Sequence, residues 1–523
     1  MNRFLSRANK RIGFGSAAML LASASLAGTV LGIIRTKLIN ANFVSFETDA
    51  YFAAFKIPDF IYFTLAAGAL GVAFLPVLSE QLQKSKKSAW EVSSYLLNSL
   101  GILTLLVSIL LIIFAEPLLK YLVVPGFSPE QLHLSVAIMR IVSVNVFIFA
   151  ISTLLTTVQQ GVGRFFFFAV APLFYNGAII ASIYIFGDSL GVVGLSIGVA
   201  VGAILQLVIA SLGMVGMKFK YSPYIDFKNK GFREVLRILP ARSIDQGVDY
   251  INAIFETRFA SRLITGSVSW YENALILHSA PIMLIGNSIS TAAFPRLTEK
   301  LAQGRVDLFR KEYVRVTQTI IWIALPVVIV TFFTRAYLAR IIFARSSKEI
   351  AMIFGFLCAA IFFRILYTII SRYFYAHKDT KTPLYVSLFI IALNIFLAYN
   401  LSKPTTFGVV GLAMSQGIVA FTEDVILMTI MIKRDHKLFG KDFLRYCLKA
   451  LVAGLATAIT GYLLLQVFPL QLADLSFVLI TKLIIITTIS FSVYLFFSWL
   501  FRLDQSQMVI NKAKQIILKP IKI

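Results

Sequence analysis

Charged side chains are scarce in this sequence. Asp, Glu, Lys and Arg together make up 14% of its 523 residues, whereas 58% of the residues are hydrophobic. Soluble domains carry about 25% charged residues, so this composition excludes an ordinary soluble globular protein. The hydrophobic residues form runs of about 20 or more, the length that a helix needs to cross the hydrocarbon core of a bilayer. We therefore predict an all-α, polytopic membrane protein.

Cysteine and histidine are rare as well, with two cysteines and four histidines in the whole chain. Cys358 and Cys447 both lie in hydrophobic stretches, which argues against a disulfide framework and a thiolate metal site. The histidines are scattered without the spacing of metal ligands. We therefore expect no metal and no cofactor, and we leave open whether the membrane potential, H⁺ or Na⁺ drives the protein.

Acidic residues are much less frequent than basic ones, 25 against 49, which gives a formal net charge of +24. Such a balance can indicate nucleic-acid binding. Here, however, the Lys and Arg residues cluster in short segments between hydrophobic runs, which is typical of cytoplasmic loops that face anionic lipid headgroups. We expect membrane lipids as partners and no nucleic acid.

Hydrophobic runs of membrane-spanning length number fourteen. We call them spans 1 to 14, and they lie at 14–38, 49–78, 92–115, 134–159, 165–187, 190–215, 234–260, 268–295, 313–335, 350–375, 382–401, 407–432, 444–468 and 475–501. An even number places both termini on one side of the membrane. Basic residues concentrate in alternate connections and in both termini, so the positive-inside rule predicts cytoplasmic termini.

The sequence also repeats itself at an offset of 217 to 219 residues. Three pairs of segments share this offset: 74–80 with 294–299, 191–195 with 408–412, and Asn176 with Asn394. Six spans per repeat is an even number, so the two copies share one orientation, as in transporters that work by alternating access. We predict an N-terminal lobe (1–215, spans 1–6), a C-terminal lobe (216–435, spans 7–12) and two further helices with a basic tail (436–523).

Span 2 carries three charged residues, Asp49, Lys56 and Asp59. Helical steps of about 100° place them within a stripe about 80° wide. A charge at membrane depth costs several kcal/mol unless it is paired or faces water. The stripe therefore predicts the wall of a polar pathway.

Span 7 carries a second stripe, formed by Arg242, Asp245, Asp249, Asn252 and Glu256 at spacings of 3, 4, 3 and 4. A structural ladder of ion pairs between helices is one interpretation of this pattern. We favour the wall of a water-filled cavity, because four charged residues on one span exceed what packing needs. Lobes that face each other would place both stripes on one central cavity.

Other polar residues within or beside the spans are further candidates. Arg35, at the end of span 1, is either an interfacial anchor or a phosphate ligand, since a guanidinium can hold phosphate through two parallel hydrogen bonds. Glu272 lies early in span 8. Glu423 and Asp424 lie in span 12, where they either line the cavity or pair with nearby basic residues.

Four stretches of the sequence carry a resemblance to a known family. They are Leu31-Gly-Ile-Ile-Arg35, Asp49-Ala-Tyr51 with Phe55-Lys-Ile-Pro-Asp59, Gly266-Ser-Val-Ser269, and Asp379-Thr-Lys-Thr-Pro383. With these motifs the chain resembles the MurJ (MviN) lipid II flippase family of the multidrug/oligosaccharidyl-lipid/polysaccharide exporter superfamily.

The resemblance implies a transporter of the bacterial plasma membrane that flips lipid II, an undecaprenyl-pyrophosphate-linked peptidoglycan precursor, from the inner to the outer leaflet for cell-wall synthesis. It also implies that spans 13 and 14 form a groove for the lipid tail. We expect a monomer and no enzymatic activity. The alternatives are a flippase for another isoprenoid-linked glycan, a cation-coupled multidrug antiporter, a membrane glycosyltransferase and a scaffold for the cell-wall machinery.

The sequence departs from the family pattern at charged positions. Residues that the family pattern makes basic or acidic are replaced at Thr29, Tyr62, Phe63, Ala67, Ile276, Ser279 and Ala398. The last of these replaces an acid and speaks against a bound sodium ion. The candidate lining then holds three positive and six negative residues, although a pyrophosphate needs positive charge. Either some carboxylates are protonated or paired, or Arg140, Arg364 or Arg372 also face the cavity.

Overall fold

The computed structural model describes residues 8–9, 14–343, 345–471, 473–507 and 511. These residues are almost entirely helical and contain no β-strand, which confirms the all-α prediction. The α-helices are α1 Phe14–Asn42, α2 Ser45–Tyr62, α3 Gly68–Lys84, α4 Lys86–Ile113, α5 Ala115–Leu118, α6 Pro129–Val142, α7 Val144–Gly161, α8 Phe166–Leu212, α9 Lys230–Ala260, α10 Ser267–Pro281, α11 Ser288–Ala302, α12 Val306–Ile342, α13 Ser347–Ala376, α14 Lys381–Leu401, α15 Val409–Arg434, α16 Lys441–Val467 and α17 Ser476–Leu500.

Eleven helical segments in the described part of the chain are long and apolar enough to cross a membrane. One of them, α8, has 47 residues and covers both span 5 and span 6. The segments that carry the two ionic stripes, 45–84 and 230–260, are not among the eleven. The polytopic membrane class is therefore confirmed, and the count of fourteen spans stays a prediction.

The sequence repeat has a counterpart in the backbone. Gly191 interrupts α8 with φ 56° and ψ −142°, and Gly408 precedes α15 with φ 54° and ψ −138°. This conformation is essentially restricted to glycine. Two π-helical segments, Phe63–Ala67 and Ile282–Asn287, also begin 219 positions apart. The two halves of the chain therefore share unusual backbone geometry at the repeat offset.

The chain forms two compact units, Met1–Ser269 and Trp270–Ile523. In the first unit, α2 buries a face of small residues, Ala50, Ala53 and Ala54, and packs against α6. The spacing of three and then one residue places these alanines on one side of the helix. Of the ionic stripe on this helix, Asp49 is buried with the alanines, whereas Lys56 and Asp59 are half-buried.

Helix α9, which carries the stripe of span 7, packs against α2 and α3 within the first unit. The repeat assigns this helix to the C-terminal lobe at 216–435, and that lobe division stays a prediction. In the second unit, α13 packs against α12 and α15. Helices α16 and α17 pack against α12, where Trp322 donates a hydrogen bond to the Ser498 hydroxyl at 3.1 Å.

Candidate functional site

Asp49 on α2 is 1% exposed and binds the start of α10. Its Oδ2 accepts a hydrogen bond from the backbone N–H of Gly266 at 2.6 Å, and its Oδ1 accepts one from the N–H of Ser269 at 2.7 Å. The first N–H groups of a helix have no partner within the helix, and a negative charge is favoured beside them. Asp49 therefore acts as a cap that attaches the first residues of α10, which belong to the first unit, to α2.

The surroundings of Asp49 complete this attachment. Gly266 has a φ of 103°, which favours glycine, and the Ser269 hydroxyl donates to the carbonyl of Gly266 at 3.1 Å. The Gln131 amide on α6 donates to the carbonyl of Phe46 at 3.0 Å, beside the start of α2. The stripe of span 2 predicts Asp49 on a cavity wall, whereas the structure places it in the interior. Helical periodicity identifies a face but does not reveal which other segment covers that face.

The other two members of this stripe, Lys56 and Asp59, are half-buried. Asp59 lines a cavity of about 20 Å³ with Tyr62, Asn145 and Tyr175 among its walls, which is enough for one water molecule. The structure thus leaves both residues at the edge of the packed core, as expected for groups that meet water or a ligand.

Arg35 on α1 donates from Nη1 to the Asn176 side-chain oxygen on α8 at 2.9 Å. In the same unit, Asp59 and Tyr175 line one small cavity. The partner of Arg35 in this bond is a neutral amide, which leaves the guanidinium charge uncompensated by that contact. This arrangement fits an anion ligand better than a simple interfacial anchor.

Tyr62 and Phe63, where the resemblance predicts basic residues, make uncharged contacts. The Tyr62 hydroxyl lies 2.9 Å from the Thr153 hydroxyl on α7. The Phe63 ring stacks on that of Tyr250 on α9, with centroids 4.5 Å apart and an interplanar angle of 15°. Both side chains therefore attach this part of the chain to neighbouring helices without contributing charge.

The stripe of span 7 is only partly described. The side chains of Arg242, Asp245 and Asp249 lie outside the described part of the structure. Asn252 donates to Glu256 Oε1 at 3.0 Å, and Glu256 is 3% exposed. This end of the stripe therefore reaches the protein interior at Glu256, and the role of the stripe stays a prediction.

A connection near this stripe was not predicted from the sequence. Arg258 on α9 donates from Nη1 to the carbonyls of Tyr121 and, at 3.1 Å, of Leu122. These carbonyls belong to a π-helical segment, Leu119–Val123, whose last C=O groups need partners outside the helix. Arg258 thus fastens the end of α9 to this segment. Its partners are backbone groups, so residue types along the sequence give no signal for the contact.

Among the candidates in the second unit, Glu272 on α10 is half-buried. Arg364 on α13 donates from Nη1 to Glu423 on α15 at 2.8 Å. Glu423 therefore pairs with a basic residue, which is the second of the two alternatives that the sequence leaves open. Arg372 donates to the Thr291 hydroxyl at 3.3 Å. In the first unit, Arg140 is exposed.

Asp379 caps α14 and also binds the end of α15. Its Oδ1 accepts from the backbone N–H of Thr382 at 3.0 Å, and its Oδ2 accepts from the Thr382 hydroxyl and from Arg434 Nη1, both at 2.6 Å. Burial acts to raise the pKa of Asp379, but the bonds from Thr382 and Arg434 outweigh it and hold this pKa well below its ordinary value. The motif at 379–383 is thus a charged joint between two helices.

Comparison with known proteins decides the family. A family model described as lipid II flippase MurJ matches residues 39–483, which includes the repeated segments of both halves. The chain belongs to the MurJ lipid II flippase family. Two of the stretches that carry the MurJ resemblance are those that meet at Asp49 and at Gly266 to Ser269, and a third is the joint at Asp379.

Individual relatives agree with this assignment. A probable lipid II flippase MurJ of Thermotoga maritima is 25% identical over 493 residues, covering 92% of this chain and 96% of the relative. A solved structure of lipid II flippase MurJ in an inward closed conformation superposes with a TM-score of 0.77 at 24% identity, covering 93% of this chain and 99% of that one.

The fold extends to a wider group. An inward-facing multidrug resistance MATE transporter of the MOP superfamily is similar with a TM-score of 0.67 at 16% identity, covering 80% of this chain and 99% of that one. At this identity the likeness concerns the fold alone. It confirms that the MurJ-like chain has the architecture of the exporter superfamily.

Proposed function

We propose that this protein flips lipid II, the undecaprenyl-pyrophosphate-linked peptidoglycan precursor, from the inner to the outer leaflet of a bacterial plasma membrane. The observation that carries the proposal is the MurJ family match over residues 39–483. The eleven apolar segments supply the membrane-spanning body that such a transporter needs. In this proposal the protein is a monomeric transporter rather than an enzyme, it works by alternating access, and both termini are cytoplasmic.

The positive residues of the first unit are the proposed ligands of the pyrophosphate. Arg35 is bound to a neutral amide and can offer its charge to an anion. Lys56 lies on the same unit at the edge of the packed core. The negative charge of Asp49 does not oppose binding of the pyrophosphate, because its carboxylate is bound by two backbone N–H groups in the interior. The lipid tail would stay in the membrane while the head group passes these residues.

The proposal is tested by the exposure of lipid II at the outer surface of cells that are depleted of their own flippase. Expression of this protein should restore both exposure and growth. An equal amount of lipid II at the surface with and without the protein would contradict the proposal. That outcome would favour a flippase for another isoprenoid-linked glycan or a cation-coupled drug antiporter. Both activities can be assayed in vesicles that contain the same purified protein.

A further inference from the structure

Two adjacent acidic residues, Glu423 and Asp424, lie near the middle of α15, a helix of 26 residues. Their side chains are 2% and 3% exposed. The helix is one of the eleven segments long and apolar enough to cross the membrane, so these carboxyl groups lie at membrane depth. Two carboxyl groups there need compensation, because an unpaired charge in such a place costs several kcal/mol.

Glu423 has this compensation. Its Oε2 accepts from Arg364 on α13 at 2.8 Å, and its Oε1 accepts from the Ser387 hydroxyl on α14 at 2.9 Å. One guanidinium charge and one carboxylate charge cancel, and both carboxylate oxygens are hydrogen-bonded. Glu423 is therefore stable in its charged form.

Asp424 has no such compensation. Neither of its carboxyl oxygens has a hydrogen-bond partner among the described residues. The titratable and charged groups around it are Glu423 on its own helix, Arg364 on α13 and Tyr313 on α12. Helix α14 contributes Ser387, which binds Glu423. Within the described ranges, the nearby cation Arg364 is thus already bound to Glu423, and Glu423 itself repels a second negative charge.

Two further titratable groups lie close to this cluster. Tyr367 on α13, whose hydroxyl lies 3.5 Å from that of Ser387, supplies no positive charge. His278 on α10 is 9% exposed, it interacts electrostatically with Arg364, and its Nε2 has no hydrogen-bond partner among the described residues. A charged imidazole would be repelled by Arg364, so His278 does not supply the missing positive charge.

A charged Asp424 would therefore be a buried carboxylate without hydrogen bonds and without a cation of its own. That charged state costs several kcal/mol, and the Asp424 carboxylate avoids this cost when it binds a proton and becomes neutral. A metal ion is a poorer solution here. No group of three or more His, Cys, Asp or Glu side chains within the described ranges is placed to hold one.

We propose that Asp424 is the site at which this transporter binds a proton, and that the proton couples its conformational cycle to a pH gradient. The inference rests on the function proposed above. In the cycle, a proton from the outer side forms an O–H bond with one oxygen of Asp424 and allows the neutral group to be buried. When the surroundings of α15 admit water from the cytoplasmic side, that bond breaks, the proton passes to water and the carboxylate remains.

Infrared spectroscopy on the purified full-length protein tests the first half of the proposal. A protonated carboxyl group without hydrogen bonds has a carbonyl stretching band separate from those of ionised carboxylates. We expect this band in the wild-type protein, its loss on raising the pH, its absence in Asp424→Asn, and its retention in Asp424→Glu. Asp188→Asn, which removes an exposed carboxyl group of the first unit, is the matched control and should keep the band. A band that persists in Asp424→Asn, or that does not titrate, would overturn the assignment.

Transport in proteoliposomes tests the second half. We expect wild-type protein and Asp424→Glu to flip lipid II faster when the compartment that corresponds to the cell exterior is acidic. Asp424→Asn should flip at one rate with and without the gradient. If the flipping rate of Asp424→Asn rises with the gradient as it does for the wild-type protein, the proposed coupling is wrong. If the wild-type protein flips no lipid II at all, the proposed function fails, and the infrared titration still decides whether Asp424 binds a proton.

Discussion

The carboxylate of Asp49 binds the backbone N–H of Ser269, which lies 220 positions further along the chain. With the second bond to Gly266, this contact fixes the start of α10 on α2. It joins two of the segments by which the chain resembles its family.

Removal of this cap should destabilise the protein. Asp49→Ala leaves two buried N–H groups without acceptors, and we expect a loss of about 1–3 kcal/mol for each group left unsatisfied. Asp49→Asn keeps one acceptor and should lose less. Thermal unfolding of the detergent-purified variants measures both effects. If Asp49→Ala unfolds at the same temperature as the wild type but no longer transports lipid II, the cavity-lining role that the stripe of span 2 predicts would be supported instead.

Loss of positive charge should stop transport without unfolding the protein. We expect Lys56→Ala and Arg242→Ala to abolish lipid II exposure in a flippase-depleted strain, because a pyrophosphate in a low-dielectric passage needs cationic partners. Lys84→Ala is the control, since Lys84 is 60% exposed and pairs with Glu80 at the surface. Full rescue by Lys56→Ala or by Arg242→Ala would remove that residue from the proposed site.

The ion pair of Arg364 and Glu423 should show strong coupling in a double-mutant cycle. Arg364→Met leaves Glu423 charged and buried, which should cost about 3–5 kcal/mol. The double variant Arg364→Met/Glu423→Met should recover much of that loss, because no charge is left unpaired. Thermal unfolding of the single and double variants provides the measurement. Additive losses would show that the two side chains do not stabilise each other.

The joint at Asp379 should make stability depend on pH. Its folded pKa lies below the ordinary value of about 3.9, so the charged carboxylate stabilises the fold at neutral pH, and this contribution is lost as the pH falls below that value. Asp379→Asn should therefore be less stable than the wild type at pH 7, and the difference should narrow in acid. Asp442→Asn, at an aspartate whose side chain is 97% exposed, is the control. A gap that stays constant with pH would contradict the assignment.

Alanine at the two repeat glycines should strain the backbone. At Gly408 a Cβ atom would meet nothing within 4 Å, and at Gly191 it would make only an ordinary contact with Glu47 at 3.4 Å, so the cost comes from the backbone conformation. We expect each Gly→Ala variant to lose about 1–3 kcal/mol. Gly177→Ala, at a helical glycine in open space, should be neutral or slightly stabilising. Equal unfolding temperatures for all three variants would contradict this explanation.

Much of the architecture could be predicted from the sequence. Long hydrophobic runs fix the all-α membrane class, because only a helix satisfies its backbone within lipid. The repeat at an offset of about 218 locates Gly191 and Gly408, whose matching φ and ψ values then appear in the structure. These features are local or periodic, and they need no knowledge of which helices are neighbours.

The candidate site was less predictable, because it depends on neighbours. Asp49 and Lys56 share one face of α2, yet the start of α10 covers only Asp49. Asp424 and Glu423 are adjacent in the sequence, but only Glu423 receives Arg364. Nothing in the spacing of these residues distinguishes the covered or paired member from the other.

The π-helical segments Phe63–Ala67 and Ile282–Asn287 mark places where this chain can change in length. A π-turn holds one residue more than an α-turn, so deleting a single residue would let the turn close as an ordinary α-turn while the helical residues on either side keep their orientation. In the first unit, α3 would then keep the faces that it presents to α4 and α9. A single-residue deletion within α2 or α3 would instead rotate the residues that follow by about 100°. We therefore expect natural relatives of this chain to tolerate single-residue deletions within the two π-helical segments more readily than elsewhere in the same helices.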